Sequence, residues 1–224
     1  MNVNELGKIG IPRFLIDFYL NKKIIKLNSV QMKAINAGLI QGKSLVICSP
    51  TASGKTEIAT IAICKNLTQD PGSKALYLVP LKALAREKYK YYKDLFKNTN
   101  LRVIISTGDL DSVSSELGGY DLLILTVEKC DSLIRHKAPW LRQVKTVIID
   151  EIHLLNDPGR GPTLEVLITI LRSTLKNLQL IALSATIGNP KELAEWLGAE
   201  LVHDDWRPVR LDKGVYLGGE VEFR

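Results

Sequence analysis

LVICSPTASGKT, residues 45–56, runs from four apolar residues straight into a loop of small residues that ends Gly-Lys-Thr. Leu45, Val46, Ile47 and Cys48 read as a short strand buried on both faces. Residues 49–55 are too small and too kinked to continue it, and residues 57–67 (EIATIAICKNL) predict an apolar-rich helix. A strand, a tight loop and a helix N-terminus together make an anion cradle, because successive backbone N–H groups and the helix dipole aim at one spot. Thr51, Ala52, Ser53 and Gly54 are the candidate phosphate-binding residues of that loop. Lys55 is placed to reach the outer phosphates and the Thr56 hydroxyl to ligate Mg²⁺. The P-loop pattern has Gly where this chain has Ser49, so the strict pattern fails at its first position.

Working outward, five more short apolar runs are predicted as strands: 75–79, 102–106, 121–125, 146–149 and 180–184. Helical stretches alternate with several of them. Residues 81–96 carry apolar positions near a 3.6 period. Residues 163–175 (TLEVLITILRSTL) are apolar nearly all round, which predicts a well-buried helix. Asn189 and Pro190 supply an N-cap and a first helical residue, with Gly198 past the end of that helix. Ahead of the first strand, one helix is expected from about Pro12 to Leu20 and another over residues 30–41 (VQMKAINAGLIQ). Strand and helix in alternation predict an α/β fold, a mostly parallel sheet with helices on both faces. The tail, VRLDKGVYLGGEVEF, has two β-like runs around Gly218-Gly219 and reads as a hairpin. The expected organisation is one lobe over residues 1–208, its N-terminal helical segment 1–42 included, followed by a hairpin connector over 209–224.

The polar residues with chemical potential fall just after the apolar runs. In an open parallel sheet the strand carboxyl ends share one edge, and ligands bind there. Val147-Ile148-Ile149-Asp150-Glu151 is the natural partner of the phosphate loop. Asp150 is the candidate to hold Mg²⁺, partly through water, and Glu151 to orient and deprotonate an attacking water. Two adjacent carboxylates after a strand are often no more than a solvated loop, but a Gly-Lys-Thr loop in the same chain argues against that reading. His153 could be a core histidine; its place between Asp150-Glu151 and the strand-end Ser184-Ala185-Thr186 points to a link between hydrolysis and motion, with Ser184 and Thr186 as polar neighbours. Gln31 carries a donor and an acceptor, the combination that matches an adenine edge, though an exposed helix position would explain a single Gln as well. Thr107, Gly108, Asp109 and Thr126 offer donors for a sugar-phosphate track, Pro80 begins the loop beside it, and Arg86 and Lys88 on the following helix could add charge. The run KYKYYKDLFK reads as an amphipathic helix with solvated lysines.

Composition constrains the class. At 224 residues the chain can bury roughly 70–75% of its unfolded surface. A net charge of +6 permits a polyanionic partner without demonstrating one. The cysteines Cys48, Cys64 and Cys130 lie far apart inside apolar runs, as reduced core residues of a cytoplasmic protein do. No apolar run approaches 18 residues, so no membrane span is expected. His136 and His203 have no ligand-spaced companions, and no zinc site is expected.

Taken in order, these segments resemble the superfamily 2 DExH-box helicases, most closely the archaeal replication-repair, Holliday-junction-migration DNA helicases of the superkiller-like branch. LNSVQ (27–31) looks like their Q motif, SPTASGKT (49–56) motif I and VPLKALAREKY (79–89) motif Ia. STGDLDS (106–112) and LTVEKCDSLIRH (125–136) look like their nucleic-acid motifs. DEIHLLNDPGRGPTLEV (150–166) is similar to their extended motif II and LSATIGNP (183–190) to motif III, while DWRPVRLDKGV (205–215) resembles the stretch that leaves the first lobe. The resemblance implies a RecA-like P-loop NTPase lobe that uses ATP and Mg²⁺ to move along single-stranded or forked DNA, with RNA left open. It also implies a second RecA-like lobe carrying an arginine finger, which this sequence lacks. An arginine finger contributes roughly 10³–10⁵ in NTPase rate, so a fragment without one is expected to bind nucleotide and turn it over slowly. A non-catalytic nucleotide-binding scaffold is the rival, and intact Lys55, Thr56, Asp150 and Glu151 speak against it.

Overall fold

The computed structural model describes residues 1–108, 116–185, 187–208, 212 and 214–223. Helices α1 (Arg13–Asn21) and α2 (Ser29–Asn36) precede β1 (Leu45–Cys48) and α3 (Lys55–Gln69). Then come β2 (Lys74–Val79), α4 (Lys82–Leu95), β3 (Val103–Ser106), β4 (Leu122–Thr126), α5 (Val127–Arg135) and β5 (Val144–Ile149). The chain continues through α6 (Gly161–Thr174), β6 (Gln179–Ser184), α7 (Pro190–Leu197) and β7 (Glu200–His203), and the hairpin β8 (Gly214–Leu217) and β9 (Glu220–Phe223) follows.

Strands β1 to β7 form one sheet in the order β3-β4-β2-β5-β6-β1-β7, and every pairing is parallel. Successive residues of a strand point to opposite faces, and the core divides accordingly. Leu45, Ile47, Ala75, Tyr77, Ile148 and Ile181 join a cluster with α1 to α4, whereas Val46, Leu76, Leu78, Val147 and Ala182 join one with α5 to α7. Both faces are thus covered, which is why the strands are continuous apolar runs rather than alternating ones. The cysteines are free and buried. Burial pushes the Cys48 thiol up to about 11, with Lys55 opposing, and the Cys130 thiol up to about 12, so neither is a nucleophile at neutral pH. No helix among the described residues is long and apolar enough to cross a membrane.

Three expectations change. The helix expected over 30–41 ends at Asn36, because Gly38 sits at φ 109, and only a 3₁₀ turn, Leu39–Gln41, follows. Helix α6 is less fully buried than expected: Leu164, Leu167, Ile168 and Leu171 face the core, but Val166 is 49% exposed. Strand β7 was not expected at all. It is an edge strand in which only Val202 is buried, so its sequence Glu-Leu-Val-His carries little apolar signal.

Candidate active site

The carboxyl ends of β1, β5 and β6 lie at one edge, and the loops leaving them build the site. After β1, the Ser49 N–H donates to the Ser184 carbonyl at 3.2 Å, extending the β1–β6 pairing by one bond. The loop then closes on itself, with the hydroxyls of Ser49 and Ser53 2.7 Å apart. Serine at the position where the pattern has glycine therefore ties the two ends of the loop together. Gly54 enters α3 in the left-handed region, at φ 88 and ψ 26. The first N–H groups of α3 lack intrahelical acceptors, as at any helix start, and they point toward the loop.

Helix α2 braces this loop. Asn28 and Gln31 form a reciprocal capping box: the Gln31 N–H donates to Asn28 Oδ1 at 3.1 Å, and the Asn28 N–H donates to Gln31 Oε1 at 3.0 Å. The remaining amide ends reach the loop, Asn28 Nδ2 donating to the Ser53 carbonyl at 2.7 Å and Gln31 Nε2 to the Gly54 carbonyl at 3.3 Å. Gln31 is 4% exposed and already uses its oxygen and its nitrogen inside the protein, each with one further hydrogen-bonding site to spare. The role of Asn28 was not anticipated, although Asn-x-x-Gln ahead of an apolar run is a capping-box signal.

Lys55 Nζ donates to the Ser49 carbonyl at 2.6 Å and the Pro50 carbonyl at 2.9 Å. Burial holds its pKa below the ordinary lysine value, and the nearby carboxylates of Glu151 and Asp150 push it back up. The loop lysine and the two acids, about a hundred residues apart in sequence, are thus electrostatic neighbours. Asp150 continues β5, its N–H donating to the Leu78 carbonyl at 2.9 Å. Its Oδ1 accepts from the Glu151 N–H at 3.1 Å and its Oδ2 from the Tyr77 hydroxyl at 3.0 Å. Glu151 itself stands at φ 55 and ψ 46, a left-handed conformation uncommon for a residue with a side chain. His153 Nδ1 lies 3.3 Å from Glu151 Oε2, without hydrogen-bond alignment. Ser184 Oγ is buried and has no hydrogen-bond partner among the described residues.

Lys88 departs from its sequence reading. It is buried, at 7% exposed, and its Nζ donates to Thr56 Oγ1 at 3.0 Å and lies 3.6 Å from Asp150 Oδ2. A cationic group already bridges the hydroxyl and the carboxylate, so those two oxygens converge on a place where positive charge is stabilised. A hard divalent cation with oxygen ligands fits this donor pair.

Of the residues considered for a nucleic-acid track, Arg86 is exposed on α4, Pro80 is half-buried after β2, and Thr107 and Gly108 follow β3. Thr126 is buried and caps α5, its Oγ1 accepting from the Lys129 N–H at 3.4 Å. Asp109 and Thr186 lie outside the described residues.

A family model described as DEAD/DEAH box helicase matches residues 28–193, the stretch from the capping box through β6 into α7. The chain belongs to the DEAD/DEAH box helicase family. Within that family it is 52% identical to the ATP-dependent DNA helicase Hel308 of Pyrococcus horikoshii over 221 residues, 99% of this chain and 30% of the relative. It is 48% identical to Hel308 of Pyrococcus abyssi over 97% of this chain and 30% of that protein. Among solved structures, the DUF1998 helicase MrfA bound to DNA superposes with a TM-score of 0.75 at 26% identity, covering 88% of this chain and 30% of that one. MrfA bound to DNA and AMPPNP gives 0.76 at the same identity, covering 88% of this chain and 29% of that one. The chain spans about 30% of the length of these helicase relatives.

Proposed function

We propose that this chain is the ATP-binding motor lobe of an ATP-dependent DNA helicase, a single-strand translocase that unwinds duplex DNA together with a second RecA-like lobe. The observation that carries the reading is the convergence of Lys55, Thr56, Asp150 and Glu151 at one sheet edge. In it, residues 1–208 form the lobe, and the hairpin within 209–224 leads toward its partner lobe. Thr51 to Thr56 bind the phosphates of ATP, and Gln31 stands beside them for the base. Thr56 and Asp150 are the residues that would hold Mg²⁺, which when bound neutralises charge on the β- and γ-phosphates. Glu151 takes a proton from the attacking water. His153, Ser184 and Thr186 couple that event to movement between lobes. Pro80, Arg86, Thr107, Gly108 and Thr126 are assigned to the DNA track, Thr126 as the residue that positions α5, and Asp109, outside the described residues, is assigned to it from sequence. The free buried thiols support a reducing, cytoplasmic location.

The test is equilibrium binding of a fluorescent ATP analogue with Mg²⁺. The expected result is measurable affinity that Lys55→Ala abolishes; equal affinity in the variant would sink the assignment. For the nucleic acid, the lobe combined with its second lobe should be stimulated by single-stranded DNA in preference to RNA. Preference for RNA would move the reading to an RNA helicase, and no stimulation by either would favour a scaffold.

A further inference from the structure

Lys88 belongs to the buried face of α4, in phase with Ala85 and Tyr92 at helical spacing. A lysine is rarely buried unless its charge is met. Here it is met by the atoms proposed as metal ligands, Thr56 Oγ1 at 3.0 Å and Asp150 Oδ2 at 3.6 Å. Around it, the Tyr77 hydroxyl holds Asp150 Oδ2 at 3.0 Å, and the Tyr77 ring centroid lies 5.9 Å from Nζ. Among the described residues, a further acid in contact is Glu87, its Oε1 3.6 Å away on a largely exposed side chain.

We propose that Lys88 is an internal placeholder for the metal of this site. Its ammonium holds the Thr56 hydroxyl and the Asp150 carboxylate facing each other, and a Mg²⁺ held by those two residues would take the ammonium's place. The proposal rests on the nucleotide-site reading above. Its physical basis is exclusion. The Thr56 oxygen keeps a second lone pair while it accepts from the ammonium, so the exclusion is one of charge and space around two shared oxygens. A monovalent and a divalent cation sharing the same two oxygens would also repel each other at close range in a partly desolvated site. Glu87 offers the displaced ammonium an acceptor at the surface. The ammonium adds charge compensation to an Asp150 carboxylate that otherwise accepts only from the Tyr77 hydroxyl and the Glu151 N–H among the described residues. Metal loading therefore works against a built-in competitor.

The experiment titrates Mg²⁺ against binding of a fluorescent ADP analogue to the 224-residue chain and to its Lys88→Met variant. The Mg²⁺ concentration for half-maximal binding should fall about ten-fold in the variant, the lower end of what a charge-assisted hydrogen bond contributes. Affinity in EDTA should change less than about two-fold, because Lys88 is assigned no phosphate contact. An unchanged or higher Mg²⁺ requirement overturns the proposal. So does equal loss of binding with and without metal, which would make Lys88 a phosphate ligand. If the wild-type chain binds no nucleotide under any condition, the nucleotide reading and this inference fall together; if only the variant's Mg²⁺ dependence stays unchanged, this inference falls alone. Should Lys88→Met fail to fold, the wild type still decides. The ¹⁵Nζ resonance of Lys88, assigned by its loss in Lys88→Arg, should be that of a hydrogen-bonded ammonium in metal-free protein. It should shift on adding Mg²⁺ with ADP and stay in place on adding ADP in EDTA. A resonance that ignores Mg²⁺ with ADP refutes the exchange.

Discussion

Gly54→Ala tests how far the phosphate loop depends on the helix beside it. Gly54 sits at φ 88, where an L-residue costs about 1–2 kcal/mol. A Cβ added there would stand 2.6 Å from Gln31 Nε2 and 2.8 Å from Asn28 Nδ2. Both atoms are the far ends of side chains, so the clash can be relieved by swinging them away. The relief has a consequence, because those same atoms donate to the Gly54 and Ser53 carbonyls at 3.3 and 2.7 Å. Two hydrogen bonds at about 0.5–1.5 kcal/mol each, the longer at the low end, join the backbone term. The total is about 2–4 kcal/mol. For a domain of this size, 1 kcal/mol corresponds to about 2–4 °C in Tm, so thermal unfolding should shift down by about 5–15 °C. Nucleotide affinity should fall with it, since the loop N–H groups lose their fixed positions. The loss should also be smaller in an Asn28→Ala background, where one of the two bonds is already gone. A Tm within about 2 °C of wild type, with intact nucleotide binding, would refute the idea that α2 holds the loop.

Lys55→Ala should remove nucleotide binding while leaving Tm nearly unchanged, since among the described residues Lys55 hydrogen-bonds its own loop carbonyls; calorimetric titration with ADP and Mg²⁺ checks it. Glu151→Gln should bind nucleotide as the wild type does and lose hydrolysis by at least about a hundred-fold once the second lobe is supplied, as removal of a positioned general base does. Normal turnover in that variant, measured as phosphate release, would mean that another group takes the proton. Gly161→Ala should cost about 3 kcal/mol or more, because the new Cβ would collide with the Leu155 carbonyl, which is backbone and cannot swing away. Chemical denaturation measures it, and a loss below about 1 kcal/mol would contradict the collision.

The sheet was legible because its strands are buried on both faces and so stand out as unbroken apolar runs. The candidate site was legible as a place for a related reason: Ser49 to Thr56 and Asp150-Glu151 are polar clusters placed where such runs stop. What escaped were features set by the far side of a contact. The Asn-x-x-Gln capping box is local, but its second set of bonds, to carbonyls more than twenty residues on, has no local signature. Strand β7 escaped because an edge strand needs one buried residue, Val202, and not four. For α6, apolar composition could not distinguish a helix enclosed all round from one whose Val166 and Ile170 lie on an open side. Lys88 sat in a run of lysines whose average is solvated; only its phase with Ala85 and Tyr92 sets it apart.

That phase has a mechanical meaning when set beside the capping box. The phosphate loop is held from two directions by residues outside it: Asn28 and Gln31 grip its last carbonyls, and Lys88 grips the hydroxyl at the start of α3. The first grip uses neutral amides on backbone, so it is indifferent to what the loop binds. The second is a charge, and any cation arriving at Thr56 and Asp150 competes with it. One anchor therefore persists through loading while the other is exchanged. Helix α4 carries the exchangeable one, and the same helix presents Arg86 on its exposed face.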